Sequence, residues 1–154
     1  MEKQKYTAIV LAAGSGKRMN SKVHKQYLII QDRPVLYYSL KAFEDSAVDE
    51  IVLVVGKGEE KFCRKEIVDK YGISKVKAIV EGGKERYHSV FEGLKQTSDA
   101  DYVLIHDGAR PFVNQDIIRR CMQEVQKYQA CVVGMPVKDT IKIADEEGLS
   151  LIHI

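Results

Sequence analysis

Short, uninterrupted apolar runs that alternate with longer stretches of helical spacing constrain this chain more than any other feature. Thr7 to Ala13 (TAIVLAA) and Ile51 to Val55 (IVLVV) read as strands buried on both faces, and Val76 to Val80 and Tyr102 to Ile105 as a third and a fourth strand. Such continuous runs belong to parallel sheets, whose two faces are covered by helices. Between them, Leu36, Leu40 and Phe43 follow Pro34 at helical spacing, with Pro34 suited to a first helical position. A charged helix is expected to end at Gly72. Val90, Phe91 and Leu94 mark the inner face of another, and Asn114 caps one carrying Ile117, Ile118, Met122 and Val125. Cys131 to Val137 predicts a fifth strand and Thr140 to Ile143 a short sixth. The alternation predicts βαβ units in a single α/β domain with a mostly parallel sheet.

In such a sheet ligands sit at the carboxyl ends of the strands. Three segments share that rim: the loop after Ala13, Gly82-Gly83 after the third strand, and His106-Asp107-Gly108-Ala109-Arg110-Pro111 after the fourth. Elsewhere the composition argues by exclusion. With 24 Lys and Arg against 22 Asp and Glu, the net charge of +2 provides no basic stripe for nucleic acid. No stretch approaches the ~20 apolar residues of a membrane span. Met1 to Tyr6 is charged and lacks the apolar centre of a signal peptide. Cys63, Cys121 and Cys131 have no metal-ligand spacing and read as reduced thiols. A cytoplasmic protein without nucleic-acid or membrane partners is expected.

The first rim segment is Ala12-Ala13-Gly14-Ser15-Gly16-Lys17-Arg18-Met19, with Lys22 and Lys25 beyond it. Glycines after a first strand let backbone N–H groups approach a phosphate. Met19 stands where a dinucleotide fingerprint needs its third glycine, and no acidic residue closes the second strand. Both features exclude a dinucleotide oxidoreductase, and the Gly-Lys-Ser/Thr of a P-loop is missing too. What remains is an open glycine loop beside fixed cations, which suits the neutralisation of a triphosphate under attack. A tight turn followed by a solvated basic loop fits the same residues.

The second segment, with Gly83, Arg86 and Ser89, reads either as a plain turn or as hydrogen-bonding contacts to a pyrimidine edge. Arg86 either braces the loop or touches phosphate. In the third, Asp107 at a strand end is a natural Mg²⁺ ligand, and Arg110 could receive a phosphate or carboxylate. A turn-capping Asp with a surface Arg is the plainer alternative. His106 is read as a structural histidine bonded to a backbone carbonyl, and His24, His88 and His153 are not read as ligands.

Taken together, these segments resemble the 2-C-methyl-D-erythritol 4-phosphate cytidylyltransferase family of the non-mevalonate isoprenoid pathway. The resemblance rests on Ala12 to Met19, Lys25-Gln26-Tyr27-Leu28, Gly82-Gly83, Arg86, Ser89-Val90, His106 to Pro111, Pro136-Val137 and Asp139-Thr140, and runs from about Tyr6 to about Glu147. It implies a Rossmann-like α/β fold of the nucleotide-diphospho-sugar transferase type, with helices on both faces and an arm joining a homodimer. It also implies Mg²⁺-dependent transfer of CMP from CTP to methylerythritol phosphate. On the family pattern Ala12, Ala13, Gly14, Gly83 and Ser89 hold cytosine and ribose, while Gly16, Arg18 and Lys25 bind triphosphate. Arg18 and Lys25 act catalytically. Asp107, Gly108 and Arg110 line the alcohol-phosphate pocket, Asp107 also meeting the metal, and Thr140 reaches the substrate of the partner subunit.

Two departures accompany the resemblance. His24 stands where many relatives carry proline, which predicts a less rigid loop before Lys25. Family members also continue for several more elements, so residues 1–148 are expected to form one nucleotidyltransferase domain lacking its C-terminal part. Residues 149–154 (LSLIHI) are expected to be a sequencing-adapter scar, a genuine arm strand being the alternative. A pentitol-phosphate cytidylyltransferase, for ribitol 5-phosphate, shares the chemistry and fold. Ala109, where such enzymes carry a bulkier residue, favours methylerythritol. A silent Rossmann-like binding domain would have no need of Arg18, Lys25, Asp107 and Arg110 together.

Overall fold

The computed structural model describes residues 3–14, 24–136, 142–144, 146–147 and 150–153. Four parallel strands form the central sheet: β1 (Tyr6–Ala12), β4 (Glu50–Val55), β5 (Val76–Glu81) and β6 (Tyr102–Asp107), in the order β5-β4-β1-β6. β1 lies in the middle, with Ile9 opposite Val52 on one side and Ile105 on the other. The chain first builds outward through β4 and β5, then returns to lay β6 on the far side of β1. In open sheets of this kind the ligand crevice is expected at such a reversal, here beyond the carboxyl ends of β1 and β6. Two short antiparallel pairs complete the strands: β2 (Ile29–Ile30) with β3 (Arg33–Pro34), and β7 (Lys142–Ala144) with β8 (Ser150–His153). β8 falls within the six terminal residues expected to be foreign.

Side-chain alternation along β1 divides the core into two layers. Tyr6, Ala8, Val10 and Ala12 face α1 (Val35–Glu44), α4 (Gln115–Tyr128) and the α2 turn (Glu60–Cys63), contacting the cluster of Leu36, Leu40, Phe43, Cys63 and Ile118. Ile9, Val52 and Val54 face the other way, under α3 (Arg86–Leu94). Helices therefore cover both faces, as the continuous apolar runs require. α1 starts one residue after Pro34, which precedes it with φ −66° and an extended ψ. After α2 the charged segment widens into a π-helical stretch, Arg64–Asp69, and Gly72 turns it off at φ +64°. Asn114 caps α4, its side chain accepting from the Ile117 N–H at 2.9 Å. Among the described residues no helix is long and apolar enough to cross a membrane.

Two sequence expectations give way. The inner face of α3 is made by Ser89 and Gly93, whereas Phe91 and Leu94 are 59% and 41% exposed. The reason is proximity: a Cβ on Gly93 would stand 2.6 Å from Ile9 Cγ2, so the helix rests on the sheet at a distance only glycine permits. The Cys131–Val137 run does not form a fifth strand over its described part, 131–136, which is irregular and carries Val132 at 96% and Met135 at 76% exposure. A strand exists only through its neighbour's hydrogen bonds, and among the described residues this run has none.

Among the described residues the core contains one polar flaw. Thr7, fully buried in β1, has a hydroxyl with no hydrogen-bond partner among the described residues. An unmade buried hydrogen bond costs about 1–3 kcal/mol. Thr7→Val keeps the shape and removes the hydroxyl, so it is expected to raise the melting temperature by a few degrees, at about 2–4 °C per kcal/mol. Calorimetry of the two proteins checks this. A lower melting temperature would mean that the hydroxyl is satisfied in solution.

Candidate functional site

Because all four core strands run the same way, the three rim segments end side by side. The β6 turn docks back onto β1, with the Gly108 N–H donating to Leu11 O at 2.8 Å, and the Gly82 N–H bonds Val55 O at 2.8 Å. A Cβ on Gly82 would run into Ala13 Cβ and Ser89 Oγ, so the first two segments are pressed together there. Ser89 is buried beneath that contact, and its hydroxyl makes one long bond, 3.4 Å, to Glu85 O. Gly83 is exposed at the same edge. Ala12, Ala13 and Gly14 thus share one corner of the crevice with Gly83 and Ser89.

Asp107 joins the second segment to the third. Its Oδ1 accepts from Arg86 Nε at 3.2 Å and Nη2 at 3.1 Å, while its Oδ2 lies 3.0 Å from Arg110 Nε. One carboxylate is thus flanked by two guanidiniums whose side chains remain 62% and 76% exposed. Arg86 braces the rim in this arrangement. The exposure leaves both cations open to an incoming anion, and such solvated pairs add little stability. Ser39 Oγ, on α1, secures the turn, its single proton facing both Gly108 O at 3.0 Å and Arg110 O at 3.2 Å. His106 is structural, as its sequence reading has it: Nε2 lies 3.0 Å from Arg110 O, and the ring stacks edgewise on Phe43. Burial lowers its pKa below the ordinary histidine value, keeping the ring neutral at neutral pH.

Lys25 opens a three-residue 3₁₀ turn, Lys25–Tyr27, and its own side chain is exposed. Gln26 is the residue whose role sequence reasoning missed. It is 1% exposed, and its Nε2 donates to Ala12 O at 2.6 Å and Gly14 O at 3.2 Å. The amide thus locks the Lys25 turn to the glycine loop. A glutamine beside a lysine in a polar stretch reads as solvated, and nothing in the sequence marks it as buried. The expected loosening at His24 is offset: its φ of −62° is one proline also adopts, and its Nδ1 lies 2.9 Å from Glu59 Oε1. Gly16, Arg18 and Thr140 lie outside the described residues.

Among the described residues no group of three or more His, Cys, Asp or Glu side chains could hold a metal ion alone. A Mg²⁺ ion bound with nucleotide phosphates needs only one or two carboxylates, the phosphates and water completing its shell. Asp107, partly exposed at the crevice with a side-chain accessibility of 31%, fits that lesser requirement.

The family profile for 2-C-methyl-D-erythritol 4-phosphate cytidylyltransferase (IspD) matches residues 6–153. The curated protein of that name from Lachnoclostridium phytofermentans is 53% identical over 146 residues, covering 95% of this chain and 63% of the relative. Its counterpart from Lachnospira eligens is 55% identical over 146 residues, covering 94% and 64%. The chain therefore spans a little under two thirds of the length of the curated relatives it matches. Among solved structures, the 4-diphosphocytidyl-2C-methyl-D-erythritol synthase of Anaerococcus prevotii superposes with a TM-score of 0.80 at 33% identity, covering 97% of this chain and 63% of that one. The 2-C-methyl-D-erythritol 4-phosphate cytidylyltransferase of Thermus thermophilus gives 0.66 at 27% identity, covering 96% and 62%.

Proposed function

Because this chain belongs to the 2-C-methyl-D-erythritol 4-phosphate cytidylyltransferase family, we propose that the protein carrying it transfers CMP from CTP to 2-C-methyl-D-erythritol 4-phosphate. The products are 4-diphosphocytidyl-2-C-methyl-D-erythritol and pyrophosphate. The observation that carries this reading is the convergence on one rim of the glycine loop, the Gly82–Ser89 segment and Asp107 between two arginines.

An oxygen of the substrate phosphate attacks the α-phosphorus of CTP in line, and the bond from that phosphorus to the bridging oxygen breaks as pyrophosphate leaves. The attacking group is already an anion, so no side-chain nucleophile or base is required. The chain's task is alignment and charge stabilisation. Ala12, Ala13, Gly14, Gly83 and Ser89 hold cytosine and ribose at the corner beside Gly82. Gly16, Arg18 and Lys25 bind the triphosphate, with Arg18 and Lys25 opposing the charge that builds during transfer. Gly108 and Arg110 receive the alcohol phosphate with Asp107, and Thr140 reaches the partner subunit's substrate in a cytoplasmic homodimer. Asp107 and the nucleotide phosphates would hold a divalent cation, Mg²⁺ in this reading, which would supply further neutralisation of phosphate charge.

The test is an assay of the protein with CTP and either methylerythritol phosphate or ribitol 5-phosphate, following pyrophosphate and the cytidylylated product. Turnover with methylerythritol phosphate that stops when divalent cations are chelated is expected. Equal or faster turnover with ribitol 5-phosphate would overturn the substrate assignment.

A further inference from the structure

The Lys25 turn is too short to hold its own shape. It has three residues with extended backbone on both sides, and its internal bonds are Tyr27 N to His24 O at 2.9 Å and Leu28 N to Lys25 O at 3.4 Å. Such 3₁₀ pieces have poor hydrogen-bond geometry and rely on their surroundings. Gln26 secures one side of it. The other side is secured from a distant part of the chain, where Glu59 follows β4. Its Oε1 lies 2.9 Å from His24 Nδ1, and its Oε2 accepts from Tyr27 OH at 2.7 Å and from the Gly56 N–H at 3.0 Å. The same hydroxyl lies 3.1 Å from Cys63 Sγ, and the Tyr27 ring meets Phe62 edge-on at 5.2 Å.

We propose that Glu59 is a positioning residue, a strut that ties His24 and Tyr27 to the end of β4 and so sets where the Lys25 side chain leaves the backbone. This rests on the role given to Lys25 under Proposed function. The residues on either side of Lys25 are held in opposite senses, Gln26 toward β1 and its flanking neighbours toward Glu59, while the lysine itself stays exposed. The strut keeps its hydrogen-bonding form: burial raises the pKa of the Tyr27 hydroxyl, which stays a donor, and burial pushes the Cys63 thiol up to about 11. Among the described residues Glu59 bonds His24, Tyr27 and Gly56 and makes no hydrogen bond or ion pair to Asp107, Arg110 or Lys25. In this proposal its effect on turnover passes through Lys25.

Glu59→Gln and Tyr27→Phe test this by two readouts in the protein that carries this chain. The first is the rate of trypsin cleavage after Lys25, which follows the population of locally opened turn and needs no activity. We expect it to rise about tenfold in both variants, with cleavage after Lys95 unchanged. The second is a double-mutant cycle with Lys25→Ala. Glu59→Gln is expected to lower kcat about tenfold with the KM for CTP little changed, and to lower it no further once Lys25 is gone. A merely structural role would reduce kcat equally on both backgrounds and would overturn the proposal. Unchanged cleavage after Lys25 in both variants overturns it whatever the activity. A Lys25→Ala protein with undiminished turnover overturns the role given to Lys25, and the cleavage rates still decide the strut on their own. Should Glu59→Gln fail to fold, Tyr27→Phe, which keeps the ring and its packing, carries both readouts.

Discussion

Lys25→Ala is expected to lower kcat by about 10²–10³-fold while CTP binding changes only a few-fold, the range seen when one transition-state donor is removed. In the ground state the triphosphate has other cations to meet. During transfer, charge concentrates around the α-phosphorus, and a lysine fixed there gains most of its interaction at that point. Interactions of this kind appear in kcat. The backbone around Lys25 is held, since Gln26 and Tyr27, the two residues that follow it, are both anchored by side-chain hydrogen bonds. Steady-state kinetics with calorimetric CTP binding checks the expectation. An unchanged kcat with a raised KM would make Lys25 an ordinary binding residue.

Gln26→Leu is the second large effect, and it should strike stability and turnover together. Leucine has about the right volume for a site 1% exposed, so the change isolates the amide. Ala12 O and Gly14 O lose their shared donor inside the structure. A buried acceptor left unpaired costs about 1–3 kcal/mol, which lowers the melting temperature by about 2–4 °C per kcal/mol. The glycine loop and the Lys25 turn are then no longer tied, so turnover is expected to fall about tenfold or more. Gln26→Glu should not rescue, because an ionised carboxylate offers acceptors to two carbonyls. Thermal melts and kcat on both variants decide the matter, and a Leu variant as stable and active as the parent would remove Gln26 from the site.

Much of the architecture was legible along the chain. The runs of β1, β4 and β6 are continuous and that of β5 is broken only by Lys77; all are bounded by turn-forming or charged residues and separated by segments of helical spacing, so period and length identify them. Their common direction then brings the glycine loop, Gly82-Gly83 and Asp107 to one edge without any further information. α3 shows where periodicity stops. Its apolar stripe through Phe91 and Leu94 is real, yet the sheet is met by Ser89 and Gly93, because the available space between Ile9 and the helix admits no Cβ. The apolar run after Cys131 fails as a strand for a related reason: extended propensity belongs to the segment, but pairing belongs to its neighbours.

At the site the same division holds. Cations that oppose phosphate charge and a carboxylate that suits a divalent ion can be recognised wherever they stand, so Lys25, Arg110 and Asp107 are candidates from residue type and order. Their working arrangement cannot. Asp107 held by Arg86 from 21 residues away, Gln26 turned inward to two carbonyls, and Glu59 bracing a turn from more than thirty residues away all depend on partners distant in the sequence. Hydrogen bonds and ion pairs are short-ranged and directional, so their partners are chosen by distances that arise only once the strands have assembled.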